Sequence, residues 1–263
     1  MDRNEISKYR YFDTHTHVYD PELMENFGTL NDACIKQGIL IAVIGVDLAT
    51  SNQAVTISQG CSNAIATAGI HPLEIKPRTY QEDLNNFQIF LTKNIQNISA
   101  IGEVGLDYHY KNIDPEIQKI VFIKMIETAI KYKKPIILHV REAYEDCFNI
   151  LLNYQHQLEK ILIHCYDTNA EWVKKFNQFN CFYAIGGKIT YPEADYLREA
   201  LRTMPRNRIV SETDCPYLCP EPERKGINSP LNIIPIVEKI NAVVEEDLTD
   251  QLLINALNFF NLN

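Results

Sequence analysis

The sequence predicts an α/β protein, a single (β/α)8 TIM barrel spanning residues 1–263. Three observations predict it. Eight short apolar, β-branched runs recur along the chain, helical patterns lie between them, and histidines and acids suited to metal ligation fall at the ends of those runs. A doubly wound open sheet is the alternative, since pattern alone does not show closure. At 263 residues the chain is long enough to bury one large core.

The strands are expected at Tyr11 to His15, Ile39 to Val46, Ala64 to His71, Ile98 to Gly102, Pro135 to Val140, Ile161 to His164, Cys181 to Ile185 and Arg208 to Glu212. Most are continuous apolar runs, as in a parallel sheet buried on both faces. Between Pro115 and Lys133, Ile117, Val121, Met125 and Ala129 make one i, i+4 row, and Phe122, Ile126 and Ile130 the next, giving a wide apolar helical face. Asp114 is placed to cap that helix and Pro115 to open it. Similar patterns occupy 21–37, 80–97, 142–155, 168–179, 192–203 and 230–242, with a last helix near 247–260. Residues 216–230, with four prolines and mixed charge, read as one long loop after the eighth strand, and such loops are often functional.

With 46% hydrophobic and 22% charged residues, disordered and fibrous classes drop out. No apolar run approaches the roughly 20 residues that span a bilayer. The first residues carry mixed charges without the apolar core of a signal peptide, so the chain is expected in the cytoplasm, with no membrane and no obligate protein partner. Its seven cysteines show no C-x-x-C pair and are read as reduced thiols packed as small apolar groups, with Cys215 and Cys219 close to Asp214. A net charge of −9 argues against tight, extended duplex binding. It does not exclude a nuclease, because bound divalent cations can be the largest local charges in a site.

The positions of the ligand-type residues carry the chemistry. His15 and His17 form an H-x-H at the end of the first strand, and residues two apart on a strand point the same way. His71 ends the third run, Glu103 follows the fourth, His139 lies near the end of the fifth, His164 ends the sixth and Asp214 follows the eighth. In a closed barrel all of them gather at the C-terminal rim, where such barrels place their active sites. One strand-end histidine is more often a hydrogen-bonded polar residue than a ligand. Five of the seven histidines at strand ends, joined by two acids, make a metal site the better reading. His15, His17, Glu103, His139, His164 and Asp214 exceed what one tetrahedral ion needs. Two divalent ions, zinc, manganese or magnesium, bridged by Glu103, are the economical reading, and such pairs suit phosphate-ester hydrolysis. His109 is read as a surface residue, and His156 receives no role.

With these residues in view, the chain resembles the TatD family of metal-dependent deoxyribonucleases, within the amidohydrolase-like barrels. Phe-Asp-Thr-His-Thr-His (12–17) looks like the family's D-x-H-x-H opening, and Gly69-Ile70-His71-Pro72 like its G-x-H-P. Gly102 to Tyr108 is similar to G-E-x-G-L-D-Y, Leu138 to Ala143 to the H-x-R pattern, and Ile163 to Tyr166 to H-C-aromatic. Glu212 to Leu218 is similar to E-T-D-x-P-Y-L. The resemblance implies one metal on His15, His17, Glu103 and Asp214 and another on Glu103, His139 and His164. It implies His71, Glu103 and Asp214 as catalytic residues, His71 and Arg141 facing substrate, and DNA as a transient substrate cut at phosphodiester bonds, at strand ends or in single strands. Lys188 and Arg224 are further candidate phosphate contacts. The chain departs from the family at Tyr166-Asp167-Thr168, where Ser or Thr and then Gly usually follow the aromatic, and at Gly186-Gly187-Lys188. These loops leave a second expectation, hydrolysis of a carboxylic ester or amide such as an aminoacyl-tRNA.

Overall fold

Eight strands run parallel in the order β1 to β8 in the computed structural model, which describes residues 7–262. They are β1 (Tyr11–Thr16), β2 (Ile39–Val43), β3 (Ala64–Ala68), β4 (Ile98–Asp107), β5 (Ile136–Arg141), β6 (Ile161–Ile163), β7 (Cys181–Ile185) and β8 (Ile209–Ser211). The last strand returns to the first. A parallel bridge joins Thr16 to Cys215, the Asp214 N–H donates to the His15 carbonyl at 2.9 Å, and the His17 N–H donates to the Cys215 carbonyl at 2.8 Å. Buried Asp13 strengthens this seam by accepting from the Thr213 N–H at 2.8 Å. The near-closed ring leaves little unpaired strand edge and decides against the open sheet.

The helices are α1 (Pro21–Met24), α2 (Phe27–Lys36), α3 (Leu48–Gly60), α4 (Tyr80–Asn94), α5 (Pro115–Tyr132), α6 (Tyr144–Leu152), α7 (Ala170–Phe176), α8 (Asp195–Thr203), α9 (Ile233–Val244) and α10 (Thr249–Phe259). In α5 the Asp114 carboxylate caps the Glu116 N–H, Pro115 opens the first turn, and Val121, Phe122, Met125, Ile126 and Ala129 are buried. The expected helix over 21–37 is divided into α1 and α2. Helix α3 has no counterpart in the periodicity. Its buried residues are Ser51, Ala54, Val55 and Ile57, too small and too mixed to form an apolar stripe, while a capping box between Asp47 and Thr50 starts it. Among the described residues no helix is long and apolar enough to cross a membrane.

The core has two parts. One lies between the strands and the surrounding helices and includes Phe87, Phe122, Phe176 and Tyr183. The other fills the barrel with residues from every strand, among them Phe12, Leu40, Ile65, Ala100, Ile137, Leu162, Phe182 and Val210. Phe259 and Phe260 pack against that layer, Phe260 on Phe12 at 5.2 Å between ring centroids and Phe259 on Phe182 at 5.5 Å. The end of the chain therefore plugs one mouth of the barrel, and the ligand-type residues occupy the other.

Alternation carries three strands from apolar layer to polar mouth: Ile137 to His139, Leu162 to His164, Val210 to Glu212. On β1 and β4 simple alternation would turn His15 and Glu103 outward. The pairing registers shift by one residue at those places, between Asp13 and Thr16 and between Ile101 and Val104. An extra residue of this kind re-aims every side chain beyond it. Strand β4 also runs five residues past the expected end at Gly102, to Asp107, so Glu103 lies within the strand. Strand β3 stops at Ala68 rather than His71, which instead caps a 3-10 turn over Pro72–Glu74.

Candidate metal centre

The six predicted ligands and His71 converge at the C-terminal mouth. Glu103 is the hub. Its Oε1 lies 2.9 Å from His139 Nδ1, 3.5 Å from His71 Nε2 and 3.7 Å from His164 Nε2, and its Oε2 lies 3.2 Å from His15 Nε2. Asp214 Oδ1 stands 3.5 Å from His17 Nε2, 3.8 Å from His164 Nε2 and 3.9 Å from His15 Nε2. Four triads place their donor atoms close enough to share an ion: His15, His17 and Asp214; His15, Glu103 and His164; His71, Glu103 and His139; and His164, Cys165 and Asp214.

Partners on the far side of the rings orient them. His164 Nδ1 lies 2.9 Å from Glu212 Oε2, and His139 Nε2 lies 2.9 Å from Asp107 Oδ2. A carboxylate behind an imidazole fixes its proton there and turns the other nitrogen to a cation. His17 Nδ1 is held in the same way by the Tyr19 hydroxyl at 2.9 Å. Asp107 is itself anchored, accepting from the His109 and Tyr110 N–H groups at 3.0 and 3.1 Å. Glu212, Asp107 and Tyr19 received no role from the sequence, although Glu212 precedes Asp214 by two residues and Asp107 lies in the Gly-Leu-Asp-Tyr run. His71 differs. Its Nδ1 accepts from the Leu73 N–H at 3.1 Å, so the proton of the neutral ring sits on Nε2, which then donates rather than ligates.

The electrostatics describe a centre that lacks positive charge. Burial would raise the Glu103 carboxyl, but His71, His164, His15 and His139 outweigh it and hold it well below the usual range. Burial opposes charge on His164, yet Glu212, Glu103 and Asp214 together lift it to about 10. His139 is raised against burial by Asp107 and Glu103. Burial pushes His71 down to about 3 and lowers His15, which stays neutral with His164 stacked on it at 3.4 Å. Fully buried His15 has no hydrogen-bond partner at Nδ1. Buried polar atoms are ordinarily satisfied. His15 turns its other nitrogen, Nε2, to Glu103 and Asp214, and this convergence of imidazoles and carboxylates fits a donor set organised around cations. Imidazole and carboxylate donors suit zinc, manganese and related divalent ions.

The other predicted contacts lie around this centre. Arg141 ends β5 on the exposed rim, its guanidinium 5.1 Å from the centre of the Tyr110 ring. No ion pair joins Arg141 to Glu142 or Asp146 among the described residues. Glu142 pairs with His109 at 2.6 Å, and Asp146 with Lys119 at 2.8 Å. Lys188 is bound to Asp167, and Arg224 pairs with Glu193 while lying 3.9 Å over Tyr191. All seven cysteines are free, and Cys215 and Cys219 are buried. His156 is exposed.

The model of the TatD-related DNase family matches residues 12–262. The uncharacterized metal-dependent hydrolase YabD of Bacillus subtilis is 31% identical over 259 residues, 96% of this chain and 99% of that protein. The uncharacterized metal-dependent hydrolase MG009 of Mycoplasma genitalium is 30% identical over 253 residues, 91% of this chain and 94% of that protein. The crystal structure of YjjV, a TatD homologue from Escherichia coli, superposes with a TM-score of 0.91 at 22% identity, covering 97% of this chain and all of that one, a likeness of fold. The family match and the YabD relationship extend over the whole barrel and its ligand-bearing mouth, and the chain belongs to the TatD family of metal-dependent hydrolases.

Proposed function

We propose that the chain hydrolyses phosphodiester bonds of DNA at strand ends or in single strands, in the cytoplasm, with two divalent cations at the barrel mouth. The observation that carries this reading is the convergence of four imidazoles and the carboxylates of Glu103 and Asp214, more donors than one ion uses. His15, His17 and Asp214 would hold one ion, His139 and His164 the other, and Glu103 would lie between them. Bound cations there would supply Lewis acidity and acidify a water.

The residues divide the remaining work. Asp214 accepts the proton of the attacking water and passes it to the ester oxygen that leaves as its bond to phosphorus breaks. His71, neutral and with its proton on Nε2, donates to a phosphoryl oxygen. Arg141, not tied to a carboxylate, receives the phosphate backbone from the rim. Glu212 and Asp107 hold the rings of His164 and His139 in place.

One observation favours hydrolysis of a carboxylic ester or amide instead. Lys188 and Arg224, two of the three candidate phosphate cations, are occupied by Asp167 and Glu193. Metal-stripped protein, reloaded with Mg²⁺, Mn²⁺ or Zn²⁺, is assayed side by side on single-stranded DNA and on an aminoacyl-tRNA ester. Cleavage of DNA alone is expected. Turnover of the aminoacyl ester with DNA left intact would transfer the site to the second substrate class.

A further inference from the structure

Two tyrosines stand exposed on the rim of the mouth. Tyr110 carries the Arg141 guanidinium over its ring. Tyr217 is 55% exposed, with an edge toward His17 at 5.9 Å between centroids and an interplanar angle of 60°. A large aromatic held open to water beside a reaction centre is a contact in search of a partner.

The backbone beneath Tyr217 is rigid. Its N–H donates to the Asp214 carbonyl at 2.9 Å, and its own carbonyl accepts from Asn228 Nδ2 at 2.6 Å. Asn228 is fully buried. Its Nδ2 also donates to the Thr213 carbonyl at 2.8 Å, and its N–H donates to the Pro216 carbonyl at 2.9 Å. These bonds tie the turn to the segment that carries Asp214, so the Tyr217 backbone is set at a fixed place relative to the candidate metal centre. A backbone position prepared in advance lowers the ordering cost of binding.

Charge around the mouth is uneven. Asp20, whose N–H donates to the His17 carbonyl at 2.8 Å, and Glu22, in α1, follow β1 directly, on the side of the mouth where the Tyr217 ring meets His17. The side of the mouth formed by the segment after β1 is thus acidic. A nucleobase is neutral and tolerates it, whereas a further phosphate would be repelled. Arg141 ends β5, across the eight-stranded ring from β1. A strand with its scissile phosphate at the centre has a cationic exit on one side and an acidic wall on the other.

We propose that Tyr217 is the stacking platform for the terminal nucleobase, and that the acidic wall behind it limits the released product to one nucleotide while the rest of the strand leaves over Arg141. This inference rests on the nuclease reading above. Base–aromatic stacking contributes about 1–3 kcal/mol per base, which is roughly 5- to 150-fold in affinity.

The test is a cycle on the full-length, metal-loaded protein. Wild type, Tyr217→Ala and Tyr217→Trp are compared on end-labelled single-stranded DNA with a normal or an abasic terminal residue, beside metal content. Tyr217→Ala is expected to raise KM at least about fivefold on the normal end and hardly at all on the abasic end. Tyr217→Trp should restore binding, with metal content unchanged in both variants and mononucleotides as the wild-type product. An unchanged KM in Tyr217→Ala, an equal loss on both ends, or release of dinucleotides and longer pieces would overturn the proposal while wild-type cleavage keeps the nuclease reading. Failure of metal-loaded wild type to cut either DNA would remove both.

Discussion

His164 receives opposing instructions from its surroundings: burial favours the neutral ring, while three carboxylates favour the charged one and win, lifting it to about 10. Below that value, and so at pH 7, the metal-free ring carries a proton that an arriving cation must displace from the nitrogen facing Glu103 and Asp214. Lower pH therefore weakens metal binding, by about tenfold per unit for each proton displaced. Loading zinc at pH 7 should release about one proton or more, measured as the buffer dependence of the binding enthalpy in calorimetry. Binding without proton release would show that the carboxylates do not hold His164 charged. At this scale the sequence brings out the candidate ligands and conceals the residues that support them. His15, His17, Glu103, His139, His164 and Asp214 are residue types with few other reasons to recur at strand ends. Glu212 and Asp107 look like any strand-end acids until the rings they brace are placed beside them.

Strands and helices show where pattern reading succeeds. The eight apolar runs were legible because a strand buried on both faces leaves little room for polar residues. Helix α5 was legible through its continuous apolar face, and α3 was not, because Ser51 and Ala54 serve for packing where larger side chains were sought. The register shifts on β1 and β4 were hidden altogether. They depend on pairing with a neighbour, and no single-strand pattern encodes that. Gly105 belongs to the same account. It pairs with His139 across β4 and β5, at a φ of +144°, and a Cβ there would overlap the His139 carbonyl. Gly105→Ala should lower stability by about 1–3 kcal/mol through backbone strain and weaken metal binding as His139 is pushed aside, as read by urea unfolding and metal titration. Unaltered stability and affinity would mean that the two strands do not need their close approach.

The whole molecule separates structure from chemistry along the barrel axis. Phe259 and Phe260 close one end on an apolar layer, and the charged cluster occupies the other, a division that packing and catalysis both favour. Barrel closure was an expectation from counting alternations, and it is realised by the Thr16–Cys215 bridge and the Asp13–Thr213 bond. The chain carries a net charge of −9, and Lys188 and Arg224 are paired with Asp167 and Glu193, so a grip on a polyanion would fall mainly to cations in the centre and to Arg141. The reaction proposed for this mouth, loaded with divalent ions, is cleavage of DNA through Asp214. The most direct measurement is the rate at which metal-stripped and metal-restored protein shortens end-labelled single-stranded DNA, beside Asp214→Asn. Cleavage should appear only on restoring metal and fall at least about 100-fold in the variant. Cleavage that persists without metal, or a variant as fast as wild type, would contradict the account.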